Sequence, residues 1–233
     1  MKLLVTGGAG YIGSHVVRAA EAAGHSCVVV DNLSTGLTKR ISSPLVELEL
    51  ASADAPELLV KLMKQHKFDS VIHLAARKQV GESVQKPEEY FLENLGGLGN
   101  LLLAMREVGL KSLVFSSSAA TYGDGETGFD DDDDAESLSQ LRPLNAYGYS
   151  KMLFDQYAVR QADRGQAPPQ WAGLKFFNVY GPNEGHKGGM KSVVAQIWPK
   201  VAAGETVTLF RSHNPNYSDG GQMRDFVYVD DVV

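Results

Sequence analysis

The sequence contains a single cysteine, Cys27, so no disulfide can form within the chain. Cys27 stands in an apolar, strand-like segment, which favours buried packing over a reactive thiol. No apolar run approaches the length of a membrane-spanning helix, and the short apolar stretch near the N-terminus is too brief for the core of a signal peptide. These features predict a cytoplasmic protein with no membrane partner.

The chain also lacks any basic cluster. Its formal net charge is −6, which argues against a nucleic-acid partner. Part of the negative charge lies in one acidic run, Asp130–Asp134, which predicts a solvated loop rather than a metal site, and no metal is predicted elsewhere. At 233 residues and 43% hydrophobic content, the chain is long enough and apolar enough to bury a full core.

The opening of the chain carries its strongest signal. An apolar, strand-like segment leads directly into Gly7, Gly10 and Gly13, a helical pattern follows, and a second strand (Ser26–Val30) ends in Asp31. Glycines at a strand-to-helix turn allow a tight turn, close approach to a pyrophosphate and close helix packing. An acidic residue about 20 positions further on is placed to hold a ribose hydroxyl. The pattern therefore predicts a dinucleotide site.

Strand and helix patterns continue to alternate along the chain. Strands are predicted at Val46–Leu50, Ser70–Leu74, Ser112–Ser116, Leu174–Val179 and Val207–Phe210, and helices at Pro56–His66, Pro87–Val108, Ser192–Ala202 and onward from Asn145. This order predicts an α/β fold of Rossmann type, a doubly wound parallel sheet with right-handed crossovers. In such a sheet the ligand lies beyond the carboxyl ends of the strands.

Two side chains of the helix that starts near Asn145 suggest proton transfer. Tyr147 and Lys151 are four residues apart and therefore lie on one helical face. An ammonium beside a phenol is expected to lower the tyrosine pKa, and a hydroxyl from Ser118 could share the proton of a substrate oxygen.

Together these motifs resemble the extended short-chain dehydrogenase/reductase family of nucleotide-sugar epimerases and dehydratases. The segments that carry the resemblance are Thr6–Gly13, His73–Ala76, Ser116–Ser118 and Tyr147–Lys151. Residues 1 to about 118, with Asp31–Gly36 and Val80–Pro87, resemble the UDP-glucose 4-epimerase branch. The later residues, with Pro143–Lys151, Phe177–Gly188 and Gly220–Val229, resemble the ADP-L-glycero-D-manno-heptose 6-epimerase branch. A recombinant of two relatives and a natural intermediate both fit this pattern.

The resemblance implies a domain plan and a reaction. Residues 1–180 would form an NAD(P)-binding Rossmann domain, and residues 181–233 a partial, C-terminally truncated substrate domain, because family members run on for roughly another hundred residues. The implied reaction is transient oxidation of a nucleotide-diphosphate sugar to a keto sugar, followed by hydride return to the other face. A heptose 6-epimerase is the favoured activity and a UDP-glucose 4-epimerase the alternative. A homodimer through the helices near Pro87–Val108 and Asn145–Ala162 is also implied.

The resemblance assigns the following residues. The implied catalytic residues are Ser118, Tyr147, Lys151 and Lys187. The implied cofactor-binding residues are Gly7, Gly10, Tyr11, Ile12, Gly13, Asp31, Asn32, Ala75, Ala76, Lys78, Asn94, Ser116, Tyr147 and Lys151. The implied substrate-binding residues are Ser118, Asn178, Lys187, Phe210 and Arg224.

Alternatives remain for three of these residues. Lys187 could contact a phosphate or be solvated, Arg224 could form a surface ion pair with a neighbouring aspartate, and Asn178 could form a turn.

Departures from the family pattern affect the cofactor. The family places an aspartate for the adenine just after the third strand, where this chain reads Leu50–Asp54, so the role could shift to Asp54 or to the backbone. The usual Asn-Asn pair is Glu93-Asn94 here. Asp31 would repel a 2′-phosphate and favours NAD. The heptose branch implies NADP instead, and the sequence leans slightly to NAD.

Two other functions stay open. A related dehydratase would need an acidic pair after the Ser116–Ser118 strand, where this chain has Ala119–Tyr122. A dinucleotide-binding fold without catalysis is the alternative from another class.

Overall fold

A computed structural model describes residues 1–124, 134–165 and 168–233. The chain divides into two compact units, Met1–Lys175 and Phe176–Val233. Most of the predicted acidic loop (residues 130–133) and part of a predicted surface turn (residues 166–167) lie outside the described residues. Within them, no helix is both long and apolar enough to cross a bilayer.

The first unit is built on a six-stranded sheet. Its strands are β1 (Lys2–Thr6), β2 (Ser26–Asp31), β3 (Leu45–Glu47), β4 (Ser70–His73), β5 (Ser112–Ser118) and β6 (Gln170–Phe176). Their order is β3-β2-β1-β4-β5-β6. The pairs β1–β2, β1–β4, β2–β3 and β4–β5 are parallel. The strand order reverses direction at β1, which puts the crevice of a doubly wound sheet at the end of β1.

Helices connect these strands. They are α1 (Tyr11–Ala22), α2 (Ala55–His66), α3 (Val80–Gln85), α4 (Pro87–Tyr90), α5 (Gly96–Val108), α6 (Ala135–Gln140) and α7 (Ala146–Asp163). A π-helical turn, Phe91–Leu95, joins α4 to α5, and Asp134 caps α6 by accepting backbone N–H bonds from Glu136 and Ser137.

Both faces of the sheet are buried. Along β1, Leu4 packs into one apolar cluster that also contains Leu59 of α2 and Leu101 of α5. Its neighbours Leu3 and Val5 pack into a second cluster on the other face, with Val17 of α1 and Cys27. Alternating side chains of a strand point to opposite faces, so burial of both sets means that helices cover the sheet on both sides. The expected doubly wound fold is confirmed, and Cys27 is buried as predicted.

An aromatic group fills the core beside β5. The ring of Phe115 stands edge to face with Phe154 of α7, with centroids 4.0 Å apart, and stacks on Trp171 of β6 at 6.1 Å. A side chain at Gly173 would overlap the Phe115 ring, so glycine is required there for β6 to approach β5.

The second unit is smaller. It contains β7 (Asn178–Tyr180) and β8 (Phe226–Tyr228), which pair in parallel, and the helices α8 (Val193–Ala202) and α9 (Val229–Val232). A 3₁₀ segment, Glu184–Met190, follows β7. Trp198 on α8 is 65% exposed.

Three sequence predictions of local structure were wrong in detail. The strand at Leu174–Val179 is divided between β6 and β7, which belong to different sheets. The third strand, predicted at Val46–Leu50, ends at Glu47, and Val207–Phe210 is not a strand. The helices α3 and α6 were not predicted.

Candidate functional site

The glycine loop between β1 and α1 is closely packed on its own backbone. Gly7 has a φ of +71° and donates its N–H to the carbonyl of Val30 at 2.8 Å. A β-carbon on Gly7 would lie 2.6 Å from the backbone nitrogen of Ala75, and one on Gly13 would overlap the carbonyl oxygen of Gly7. These contacts need glycine, and they bring the end of β1 against the segment that follows β4.

The first turn of α1 completes this loop. Gly10 precedes the helix, its carbonyl accepts the N–H of Ser14, and Tyr11 and Ile12 form the first turn. Tyr11 is buried against His15, with ring centroids 5.5 Å apart. The free N–H groups of a helix start provide an anion site, so this loop fits a cofactor pyrophosphate.

Asp31 lies at the end of β2, 7% exposed. Its Oδ2 accepts the N–H of Ala9 at 3.0 Å, and its Oδ1 accepts the N–H of Leu33 at 2.8 Å. These bonds fix the carboxylate beside the glycine loop and hold Leu33 in a left-handed conformation, with a φ of 58°. A carboxylate at this position fits a ribose diol and disfavours a 2′-phosphate.

A groove runs along the carboxyl ends of β2 and β3. It is lined by Asn32, Glu47, Leu48, Glu49, Ser52, Asp54 and Leu58. Asn32 donates to Glu49 at 2.7 Å, and Ser52 donates to Asp54 at 2.6 Å. The lining of the groove includes Asn32, which follows Asp31 directly in the chain, and Asp54, the residue to which the adenine contact could shift.

The segment after β4 contains Ala75, Ala76 and Lys78, of which Lys78 is exposed. Asn94, in the π-helical turn, accepts the N–H of Arg77 at 2.8 Å and donates to the Arg77 carbonyl at 3.0 Å. It also donates to the hydroxyl of Ser150 on α7 at 3.0 Å. Asn94 therefore links the predicted cofactor segment to the helix that carries Lys151.

The side chain of Arg77 lies among three glutamates. Its guanidinium forms ion pairs with Glu82 at 3.4 Å, Glu89 at 3.2 Å and Glu93 at 2.7 Å. The hydrogen bond to Glu93 is the main reason that the pKa of Arg77 is raised. Glu93, the departure from the family's Asn-Asn pair, thus has a cationic partner in this chain. Sequence reasoning missed Arg77, because the three carboxylates come together only when α3, α4 and the π-helical turn fold.

The start of α7 places the catalytic candidates against β5. Asn145 caps the helix by accepting the N–H of Gly148 at 2.9 Å. Tyr147, one residue into the helix, lies close enough to Ser118 at the end of β5 for the two side chains to interact. Lys151, one turn later, donates its ammonium to the Ser116 carbonyl at 2.7 Å and to the Ser116 hydroxyl at 3.2 Å. The structure therefore brings together the four residues that the sequence predicted for this part of the site.

Burial is the main cause of the pKa shifts of Tyr147, Lys151 and His73. It raises the pKa of Tyr147, and the interaction with Ser118 only partly opposes that shift. The expectation that Lys151 lowers the pKa of Tyr147 was therefore wrong for the protein on its own. Burial also lowers the pKa of Lys151 to about 8, while Asp155 works to raise it. The pKa of His73, at the end of β4, falls to about 3 because of burial and the nearby Lys151, so this histidine is neutral.

In the second unit, Lys187 is held by a buried carboxylate. Its ammonium lies 2.9 Å from Glu184, and the side chain of Glu184 is only 2% exposed. Glu184 also accepts the N–H of Gly181 at 3.1 Å, and both the N–H and the hydroxyl of Ser192 at 2.7 Å. Burial works to raise the pKa of Glu184, but the bonds from Lys187 and Ser192 lower it overall. Glu184 was not recognised from sequence, although its i, i+3 spacing to Lys187 was a usable signal.

The other predicted substrate residues of this unit are exposed. Asn178, on β7, donates its side chain to the Asp225 carbonyl at 2.9 Å. Arg224 donates to the carbonyl of Met223, and Phe210 is 73% exposed. Pairing of β7 with β8 brings Asn178 beside the segment that contains Arg224, and the Phe210 carbonyl accepts the N–H of Gly220.

Known proteins resemble this chain over nearly its whole length. The NAD dependent epimerase/dehydratase family matches residues 3–233. An ADP-L-glycero-D-manno-heptose-6-epimerase of Nitratidesulfovibrio vulgaris (strain DP4) is 40% identical over 233 residues, which cover 99% of this chain and 69% of that protein.

Two solved structures extend the likeness to the fold. The UDP-glucose 4-epimerase of Thermus thermophilus in complex with NAD has a TM-score of 0.78 at 35% identity, over 100% of this chain and 72% of that one. The UDP-glucose 4-epimerase of Thermotoga maritima with UDP-glucose has a TM-score of 0.77 at 31% identity, over 100% of this chain and 71% of that one.

Proposed function

Because this chain belongs to the NAD dependent epimerase/dehydratase family, we propose that it is an NAD-dependent epimerase of nucleotide-diphosphate sugars, acting on an ADP-glycero-manno-heptose. The observation that carries the proposal is the packing of α7 on β5. It brings Tyr147 close to Ser118 and lets Lys151 donate to Ser116, at the end of the strand that pairs with β4. The heptose is favoured because a heptose epimerase relative spans both units of the chain at 40% identity.

The cofactor is assigned to the glycine loop and to Asp31. The N–H groups at the start of α1 would hold its pyrophosphate, and the Asp31 carboxylate would accept from its adenosine ribose. When bound, NAD supplies a reversible hydride acceptor for a substrate C–H bond. NAD is favoured over NADP because the partly desolvated carboxylate of Asp31 would repel a 2′-phosphate; Lys39 and Arg40 are the residues that could offset this repulsion.

Tyr147 exchanges the proton of the substrate hydroxyl. With its raised pKa, the resting phenol is in the acid form at neutral pH, and a nearby cation is needed to stabilise the phenolate. Lys151 is the cation on the same face of α7, held toward the substrate end of β5 by Ser116. Ser118, beside Tyr147 at the end of β5, would orient the reacting hydroxyl.

The second unit is assigned to the nucleotide sugar. Lys187 would serve as a second acid/base, with Glu184 fixing its ammonium. Arg224 suits a diphosphate, because a guanidinium can donate two parallel hydrogen bonds to phosphate oxygens. Asn178 and Phe210 contribute further contacts to the substrate.

The first prediction tests this activity. The purified chain should epimerise an ADP-glycero-manno-heptose and contain NAD. Tyr147→Phe removes the proton-transfer hydroxyl and should reduce kcat by at least about 100-fold, whereas Tyr149→Phe, an exposed tyrosine on the same helix, should leave kcat unchanged. Product formation by NMR and the released cofactor are measured on the same sample.

The outcomes separate the alternatives. Loss of heptose turnover in Lys187→Ala supports the role of the second unit. Turnover of UDP-galactose alone would replace the heptose with the substrate of the 4-epimerase relatives. Retained cofactor with neither turnover would mean that the chain is a dinucleotide-binding fold without catalysis.

A further inference from the structure

The catalytic face of α7 continues one turn beyond Lys151. Tyr147, Lys151 and Asp155 follow each other at intervals of four residues, so their side chains form one row along the helix. This row faces the last three residues of β5, Ser116–Ser118. The proposed mechanism uses the first two members of the row, and Asp155 has no role in it.

Each member of the row contacts a different residue of β5. Tyr147 lies near Ser118, and Lys151 donates to Ser116. Asp155 accepts the hydroxyl of Ser117 at 2.6 Å, and it is 6% exposed. The third contact therefore fixes the residue that lies between the two catalytic contacts, and Ser117 is itself 3% exposed.

Two lysines act on the buried carboxylate of Asp155. Its other carboxylate oxygen, Oδ1, is buried and has no hydrogen-bond partner among the described residues. Lys151 on α7 and Lys175 on β6 both act on this carboxylate electrostatically. The Lys175 ammonium lies 4.4 Å from the centre of the Tyr122 ring and is likewise buried without a hydrogen-bond partner in the described part of the chain.

Burial and these cations shift the pKa of Asp155 in opposite directions. Burial raises the pKa of Asp155 to about 6, while the hydrogen bond from Ser117 and the two lysines lower it. For Lys151, burial lowers the pKa and Asp155 works to raise it. His73 of β4 also lies near Lys151 and is neutral, and Tyr147, one turn before Lys151 on α7, has a raised pKa. Asp155 is thus the anion that offsets the cost of burying the Lys151 ammonium.

We propose that Asp155 is a positioning residue for the reaction: it locks the end of β5 onto α7 through Ser117, and its charge keeps Lys151 cationic at the place where Ser116 holds it. This inference rests on the proposed catalytic role of Lys151. The two parts of the role can be separated, because one depends on a hydrogen bond and the other on a charge.

The second prediction concerns this charge. Asp155→Asn keeps an acceptor for Ser117 but removes the negative charge, so the Lys151 ammonium should lose its proton roughly one pH unit lower, a tenfold change in proton affinity. The Lys151 titration is followed by NMR in protein labelled at the lysine ε-carbons, with Lys151→Met identifying the signal. In the holoenzyme the alkaline limb of kcat/KM should shift by the same amount.

Two matched variants serve as controls. Asp163→Asn makes the same change at an exposed position at the end of α7. In this variant the Lys151 titration and the alkaline limb of kcat/KM should both coincide with those of the original chain. Ser117→Ala removes the hydrogen bond but keeps the charge, so kcat should fall while the alkaline limb moves far less than in Asp155→Asn.

A Lys151 midpoint unchanged by Asp155→Asn would overturn the proposal. If that variant fails to fold, the reciprocal measurement replaces it: Lys151→Met should raise the midpoint of the Asp155 carboxyl, and an unchanged midpoint would refute the coupling. The NMR titration needs no turnover. A shifted midpoint without epimerisation would therefore sustain the coupling and count against the proposed function alone.

Discussion

Gly13 stands inside α1 at a point where the helix touches the loop that precedes it. A β-carbon there would overlap the Gly7 carbonyl oxygen and lie 2.7 Å from the Gly8 α-carbon. Both neighbours are backbone, which cannot rotate away as a side chain could. The contact therefore couples the position of the helix to the shape of the loop.

The third prediction is that Gly13→Ala destabilises the first unit by about 1–3 kcal/mol and weakens cofactor binding, because the overlap forces the loop apart. Urea unfolding and an NAD titration measure the two effects. Gly99→Ala is the matched control, since Gly99 lies in helix α5 and nothing stands within 4 Å of an added β-carbon. This change should stabilise the protein by about 0.5–1 kcal/mol, because alanine is the better helix former. Equal effects of the two substitutions would contradict the overlap.

For single residues, the sequence predicted where a side chain lies better than it predicted the pKa of that side chain. The positions of Asp31 and Tyr147 followed from motif spacing, and the structure places Asp31 at the end of β2 beside the glycine loop and Tyr147 at the start of α7. The direction of the Tyr147 pKa did not follow, because it depends on how much water the fold excludes from the phenol. Asp155 was missed although it continues the spacing of Tyr147 and Lys151, since only the folded structure places Ser117 against it.

The segment between β4 and α5 is held together by charge. Arg77, in the loop, pairs with glutamates of α3, α4 and the π-helical turn. Two apolar side chains of these short elements face solvent, since Val84 is 66% exposed and Leu92 is 69% exposed, whereas Tyr90 is fully buried. Ion pairs therefore contribute to the order of the loop that carries the predicted cofactor residues.

The fourth prediction is a coupling between Arg77 and Glu93. A double-mutant cycle with Arg77→Gln and Glu93→Gln should give about 1 kcal/mol in urea unfolding, because both side chains are about two-thirds buried. The Lys64–Glu107 pair, 60% and 62% exposed, is the control and should give a coupling near zero. Identical couplings for the two pairs would exclude a special role for Arg77.

The elements of the sheet were predictable where burial fixed their pattern. The runs that became β1, β2 and β4 are apolar on both faces and flanked by turns, so their type and order followed from sequence. The run at residues 174–179 was misassigned because its apolar pattern does not reveal that two different sheets provide its partners. Val207–Phe210 has the residues of a strand, but strand propensity needs a pairing partner and it has no ladder in the described structure.

Two buried groups should make the stability of the whole molecule depend on pH. Their effects run in opposite directions. The pKa of His73 is about 3 in the fold, below its ordinary 6.5, so its contribution is fully present above pH 6.5 and is lost as the pH falls towards 3. The pKa of Asp155 is raised to about 6 from 3.8, so its contribution is present below pH 3.8 and is lost as the pH rises through 6. Between pH 4 and 6 the two slopes oppose each other.

The fifth prediction separates them. His73→Gln removes the acid-sensitive group, so relative to the original chain its free energy of unfolding should rise as the pH falls from 6.5 to 4, by up to about 1.4 kcal/mol per pH unit. Urea unfolding at a series of pH values measures this difference. The same change at exposed His213 should give a difference that does not vary with pH. A constant difference for His73→Gln would mean that the buried histidine is protonated along with the unfolded chain.

The stacking of Trp171 on Phe115 gives the protein a built-in optical marker. The chain has two tryptophans, and they divide between the units: Trp171 is packed in the aromatic group of the first, while Trp198 is 65% exposed in the second. An indole among apolar rings emits at shorter wavelength than one in water, so the emission spectrum contains a blue component from one unit and a red component from the other. The fluorescence emission of Trp171 therefore reports on the packing between β5 and α7. These two elements carry the catalytic candidates.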